Sequence, residues 1–111
     1  MMILNIKPLS VNQAWMGRRF KTPKYKKYAE DVTKLLPVKI DIPDGLLVVR
    51  YDFYFSNKAS DWDNPIKPIQ DIICSKYGIN DNRIYKAIIE KHIVTKGEDR
   101  IEFEFGEYEE D

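Results

Sequence analysis

The chain has 111 residues, enough for one domain with a modest core. Apolar residues make up 43% and charged residues 32%, a globular balance that excludes a disordered chain, and no apolar run approaches the ~20 residues of a membrane span. Net charge is zero, from 18 basic and 18 acidic residues, which argues against a non-specific nucleic-acid coat. The charges are segregated, however. Arg18, Arg19, Lys21, Lys24, Lys26 and Lys27 crowd the first third, and Glu102, Glu104, Glu107, Glu109, Glu110 and Asp111 crowd the tail, so one surface can be positive while the total is neutral.

In chain order, Ile3–Ile6 is a short strand candidate that runs into Lys7-Pro8-Leu9-Ser10-Val11-Asn12. A loop to Phe20 follows. Thr22-Pro23 reads as a helix start, with Thr as cap and Pro at the first helical position. Tyr25, Tyr28, Ala29, Val32, Leu35 and Leu36 recur at helical spacing until Pro37 stops the helix. After the turn at Pro43-Asp44-Gly45, Leu46–Phe55 alternates: Leu47, Val49, Tyr51, Phe53 and Phe55 on one face, Arg50 and Asp52 on the other. A second helix is expected from Asn64 or Pro65 to Tyr77, buried along Ile66, Ile69, Ile73 and Tyr77 and stopped at Gly78; Pro68 predicts a kinked or 3-10-like first turn. Ile84–Thr95 reads as strand, Lys96–Asp99 as a hairpin turn, and Arg100–Phe105 as a closing strand, before an acidic tail expected to fray. The order β-α-β-α-β-β predicts an α+β (mixed α/β) domain, a mixed sheet with two helices packed on it, over 1–106 with the tail at 107–111. A lone cysteine, Cys74, fits a reducing compartment, and the first residues lack the pattern of a secretory signal, so a cytoplasmic protein is expected.

The chemistry concentrates in Ser60-Asp61-Trp62-Asp63-Asn64-Pro65-Ile66-Lys67. Asp61 and Asp63 follow a strand and precede a helix, and Asp81 lies past the far end of that helix. If the chain after Asp81 pairs with the strand before Asp61, the two loops can meet at one edge. Three carboxylates would then suit a hard cation such as Mg²⁺, which would activate water and offset charge on a scissile phosphate. Lys67, at i+4 from Asp63, would neutralise developing charge if the helix already runs there. Equal weight goes to a plainer reading, in which Asp63 or Asn64 caps the helix and Asp81-Asn82 is turn chemistry. The segment from Arg18 to Lys27 could contact phosphates, with Trp15 or Phe20 to stack on a base; the alternative is a solvated helix face above buried aromatics. His92, alone on a strand, reads as structural, and Cys74 as a small core residue.

Taken in order, these motifs resemble the RusA family of Holliday junction resolvases. Pro8-Leu9-Ser10-Val11-Asn12 resembles the family's Pro-Pro-Ser-Val-Asn segment, Asp61-Trp62-Asp63-Asn64 its Asp-x-Asp-Asn motif, and Gly78-Ile79-Asn80-Asp81-Asn82 its Gly-x-x-Asp-Asp segment, with Asn80 in place of the first acid. Lys67 falls where the family carries a catalytic-site lysine, Asp71 matches an acid on the same helix, and Thr95-Lys96-Gly97 resembles the closing hairpin. The resemblance implies a homodimeric endonuclease, often of phage or prophage origin, that makes paired nicks in four-way DNA junctions. It further implies Mg²⁺, with Mn²⁺ as a substitute, held by Asp61, Asp63 and Asp81 beside Lys67. The residues assigned to DNA are Asn12, Arg18, Arg19, Lys21, Lys24 and Lys58. The competing readings are a branched-DNA binding protein that does not cleave, and a metal-dependent enzyme acting on nucleotides.

Overall fold

Alternation along Leu47–Phe55 produces the central strand. In the computed structural model, which describes residues 1–16 and 20–110, Leu47, Val49, Tyr51, Phe53 and Phe55 are all buried on one face of this strand. The elements in order are β1 (Met2–Leu4), α1 (Val11–Ala14), β2 (Trp15–Met16), β3 (Phe20–Lys21), α2 (Pro23–Leu35), β4 (Leu47–Phe55), α3 (Ile66–Tyr77), β5 (Ile84–Ile93) and β6 (Arg100–Glu107), with a 3-10 turn at Asp81–Arg83. This is an α+β domain. Its four-stranded mixed sheet has the order β1-β6-β4-β5, and β2 and β3 form a separate two-stranded ribbon.

The two main helices cover the apolar face of the sheet. Helix α2 starts as its sequence dictates: the Thr22 hydroxyl accepts the Tyr25 N–H at 3.1 Å, Pro23 fills the first turn, and Tyr25, Tyr28 and Val32 are buried. Helix α3 buries Ile69, Ile72, Ile73 and Cys74, and ends at Gly78, whose φ of 64° closes a left-handed cap. Pro68 causes no break, because it occupies the first turn, where a backbone N–H has no intrahelical acceptor to lose. The core joins Tyr51, Phe53 and Phe103 of the sheet to Tyr28, Val32, Ile69 and Ile73 of the helices. Among the described residues no helix is long and apolar enough to cross a membrane.

Three expectations are corrected. The segment up to Phe20 is not all loop, since it holds α1 and β2, which pairs with β3 from Phe20 on. Lys96–Asp99 does not close a hairpin, because β5 and β6 lie on opposite sides of β4. The connection instead passes over the end of β4, where Asp99 accepts the Ser56 N–H at 3.0 Å and the Ser56 hydroxyl at 3.2 Å. The chain also stays in the sheet past Phe105: β6 reaches Glu107, and the Tyr108 N–H donates to the Leu46 carbonyl at 2.9 Å.

The pairing that positions the site is β4 with β5. It is parallel, from Leu47 opposite Ile84 to Phe55 opposite Ile93, with Tyr85 as an extra residue where the register shifts. Parallel neighbours need a crossover, and α3 supplies it.

Candidate functional site

The loop from Ser56 to Pro65 carries the paired acids. It turns tightly: the Asn57 side chain accepts the Ala59 N–H at 2.9 Å, and the Asn57 carbonyl accepts the Ser60 N–H at 3.3 Å. Asp61, Trp62 and Asp63 are exposed, and the Asn64 amide donates to Asp61 Oδ2 at 3.2 Å. The Asn64 carbonyl accepts the Val11 N–H at 2.8 Å, so the Pro8–Asn12 and Asp61–Asn64 segments meet in space. Between them lies an open cleft of about 340 Å³ with Lys7, Ser10 and Gln13 on one wall and Phe55, Asn57, Asp61 and Asn64 on the other. An oxygen-rich loop beside one lysine can take a hard cation or present polar groups to a phosphate.

Lys67 is not paired with Asp63. The helix begins at Ile66, so Asp63 lies outside it and its carbonyl accepts the Ile66 N–H at 3.2 Å. The Lys67 ammonium sits 3.2 Å from Asp71 on the next turn of α3. Asp71 in turn lines a depression between α2 and α3 with Lys21 and Tyr25.

Asp81 does not join Asp61 and Asp63 within the chain. The expected pairing of the strand after Asp81 with the strand before Asp61 does form, but it is parallel. A crossover helix between parallel strands leaves one at its C-terminal end and enters the next at its N-terminal end. Asp61 and Asp63 therefore lie past Phe55, while Asp81 lies before Ile84, which pairs with Leu47 at the start of β4. Nine strand residues separate those ends, roughly 30 Å at about 3.3 Å each. The Asp81 end is tied down locally: the Arg83 guanidinium donates to the Gly45 carbonyl at 2.9 Å and to the Pro43 carbonyl, and the Asn80 side chain accepts the Asn82 N–H at 3.1 Å. Asp81–Arg83 thus forms a 3-10 turn capped by the Asn80 side chain. Burial, joined by the charges of Asp81 and Asp71, pushes the Cys74 thiol up to about 11, so it stays protonated and inert.

Of the residues assigned to nucleic acid, Asn12, Lys21, Lys24 and Lys58 are exposed, while Arg18 and Arg19 lie outside the described residues. Lys21 stands 4.9 Å from the Tyr25 ring centre and 5.8 Å from that of Trp15. Phe20 is 69% exposed and open to stacking, whereas Trp15 is half-buried. The Lys58 carbonyl accepts the Lys91 ammonium at 2.9 Å, which fastens the loop to β5.

One cluster escaped sequence reasoning. The sheet face away from the helices carries Arg50, Asp52 and Tyr54 of β4 beside Glu90 and His92 of β5. Asp52 is buried, and its two oxygens take Arg50 Nε at 2.9 Å and Nη2 at 3.1 Å. His92 Nε2 lies 2.8 Å from Asp52 Oδ1 and 3.0 Å from Glu90 Oε2, and its ring stacks on Tyr54 at 4.4 Å, with the Arg100 guanidinium 3.7 Å over the other ring. Burial alone would raise the Asp52 carboxyl, but Arg50 and His92 outweigh it and hold it below its ordinary value. Among the described residues these are the only three His, Cys, Asp or Glu groups whose ligand atoms gather within 4.8 Å. Arg50 already neutralises Asp52, so the network is closed by its own charges. The signal was present as Arg50-x-Asp52 and Glu90-x-His92, each pair on one strand face, but only the β4–β5 register brings the pairs together. His92, which reads as structural from its isolation in the sequence, has partners here: Asp52 and Glu90 at its Nε2 and the Tyr54 ring against its own. Compared with known proteins, the chain matches no family model and no curated protein.

Proposed function

We propose that this protein is a metal-dependent, structure-selective DNA endonuclease that resolves four-way junctions, in line with its resemblance to the RusA family. The observation that carries the reading is the bond from the Val11 N–H to the Asn64 carbonyl, at 2.8 Å. The two segments that carry the resemblance, Pro8–Asn12 and Asp61–Asn64, lie far apart in sequence but form the two walls of one cleft, and Asp61 is in it.

The donor set suits Mg²⁺ or Mn²⁺. Such ions take oxygen ligands, often only one or two carboxylates together with water and substrate phosphate, and Asp61 and Asp63 are exposed on one loop. When bound, the metal would supply an activated water and offset charge on the phosphate. The chain's own residues do the positioning. Asn64 orients the Asp61 carboxylate through its amide, Lys7 sets a positive charge on the cleft wall, and Lys67 stands on the first turn of α3 to meet negative charge on the substrate. Lys21, Lys24 and Lys58 give the DNA backbone further cationic contacts, and Asn12 adds an exposed polar group on the facing segment.

The test is cleavage of a four-way junction, a linear duplex and free nucleotides in Mg²⁺, beside junction binding in EDTA. Asp63→Asn is expected to lose on the order of 100-fold or more in cutting. It should keep or improve metal-free binding, because two carboxylates without metal repel the phosphate backbone. A folded Asp63→Asn protein that still cuts at the wild-type rate would refute the metal role. Wild-type binding of junctions without cutting would instead establish the branched-DNA binding reading, which the distance of Asp81 from the other acids favours. Hydrolysis of nucleotides alone would point to the nucleotide enzyme.

A further inference from the structure

The sheet face away from the helices gathers a second set of ligand-type atoms, separate from the Asp61–Asp63 loop. Asp52 stands on β4, and Glu90 and His92 stand on β5. The β4–β5 register sets Asp52 opposite Glu90 and Tyr54 opposite His92, so the three side chains rise from one small area of paired strands. Strands hold such a set more firmly than loops do.

Two carboxylate oxygens converge on one imidazole nitrogen. His92 Nε2 lies 2.8 Å from Asp52 Oδ1 and 3.0 Å from Glu90 Oε2. That nitrogen carries at most one proton, which cannot serve both oxygens fully. Arg50 closes the charge of Asp52, whereas among the described residues Glu90 is ion-paired with His92 alone. A cation in place of the shared proton would serve the nitrogen and both oxygens at once. The spacing suits one, because ligands at right angles on an ion, with bonds of about 2.1 Å, stand about 3.0 Å apart.

Neighbouring groups hold these ligands in place. Arg50 grips Asp52 at 2.9 and 3.1 Å, and a carboxylate has lone pairs for a guanidinium and an ion together. The His92 ring stacks on Tyr54 at 4.4 Å, and the Arg100 guanidinium lies 3.7 Å over Tyr54. Partners of this kind orient the ligands of metal sites. Asp52 is buried, His92 half-buried and Glu90 exposed, so an ion reaches the site past Glu90 and keeps water on its outer side.

We propose that Asp52, Glu90 and His92 bind one divalent transition ion of the Zn²⁺ class, which clips the edge strand β5 to the central strand β4. The imidazole sets the class: nitrogen suits Zn²⁺, Co²⁺ or Ni²⁺, whereas Mg²⁺ takes oxygen ligands and holds its water. The site uses none of the acids of the cleft, so it stands whether or not the protein is a nuclease.

The probe is Zn²⁺ itself, added to the metal-stripped full chain in excess Mg²⁺. His92 is the only histidine in the sequence, so its ring nitrogens give unambiguous NMR signals. One Zn²⁺ should bind per chain by calorimetry, the Nε2 signal should move more than the Nδ1 signal, and the melting temperature should rise because the ion binds the folded chain. Glu90→Gln alters an exposed side chain and leaves the core intact. It and His92→Gln should each weaken Zn²⁺ binding about tenfold or more and shrink the rise in melting temperature. Asp63→Asn should bind Zn²⁺ as the wild type does. A wild type that takes no Zn²⁺ overturns the proposal, as does an unmoved Nε2 signal or unchanged affinity in Glu90→Gln. Binding lost in Asp63→Asn but kept in His92→Gln would put the ion in the cleft loop and overturn it too.

Discussion

At the end of α3 that follows β4, Asp61, Trp62 and Asp63 stand exposed on a loop, held to the rest of the chain by the Asn64–Val11 bond and by Ser56 on Asp99. At the end that leads into β5, Gly78 caps the helix, Ile79 is buried, and Arg83 clamps the carbonyls of Pro43 and Gly45. One crossover helix thus joins an open, charge-bearing end to a locked one. Locked backbone resists unfolding, while exposed polar groups remain available to a ligand, so substitutions at the two ends should separate stability from function.

The largest stability effect should come from the locked end. Arg83→Ala removes two charged hydrogen bonds to carbonyls and is expected to cost about 2–3 kcal/mol in urea unfolding, with an unchanged m-value. A loss below about 0.5 kcal/mol would mean that water replaces the clamp.

A smaller effect is expected where the open end meets the strand crossing. Asp99→Ala should cost about 1–2 kcal/mol at neutral pH, since the lost bonds go to a charged acceptor. The pH dependence has a definite sign. Burial alone would raise the Asp99 carboxyl, but the N–H and hydroxyl of Ser56 outweigh it and hold it below its ordinary 3.8. A depressed carboxyl contributes stability that is complete above 3.8 and is lost as pH falls through the lower folded value. Asp52 behaves alike on the other sheet face. Wild-type stability should therefore fall below about pH 4, and Asp99→Ala should flatten part of that fall. Parallel curves for the two proteins would show that Asp99 is not a source of the acid sensitivity.

The smallest effect sharpens the contrast most. Lys67→Ala removes an exposed pair with Asp71 and should change stability by no more than about 0.5 kcal/mol. Under the nuclease reading it should nevertheless cut junctions far more slowly than wild type. Equal cutting by the two would confine Lys67 to its surface pair.

Much of this was legible in the sequence for local reasons. Thr22-Pro23 and Gly78 set helix ends because capping depends on neighbouring residues alone, and the alternation of Leu47 to Phe55 named the buried face of β4 because side chains change face at every residue. Asp61 and Asp63 could be found as an exposed pair between strand and helix. The sequence did not carry strand direction. Whether β5 runs with or against β4 involves no neighbouring residues, yet it decides that Asp81 lies far from the other acids in its own chain, and that β6 crosses to the far side of β4. The same holds for Arg50, Asp52, Glu90 and His92, which are ordinary strand residues until the register sets them side by side. Local chemistry fixes where elements begin, end and face. Long-range pairing fixes which of their ends meet, and therefore which acids can share one site.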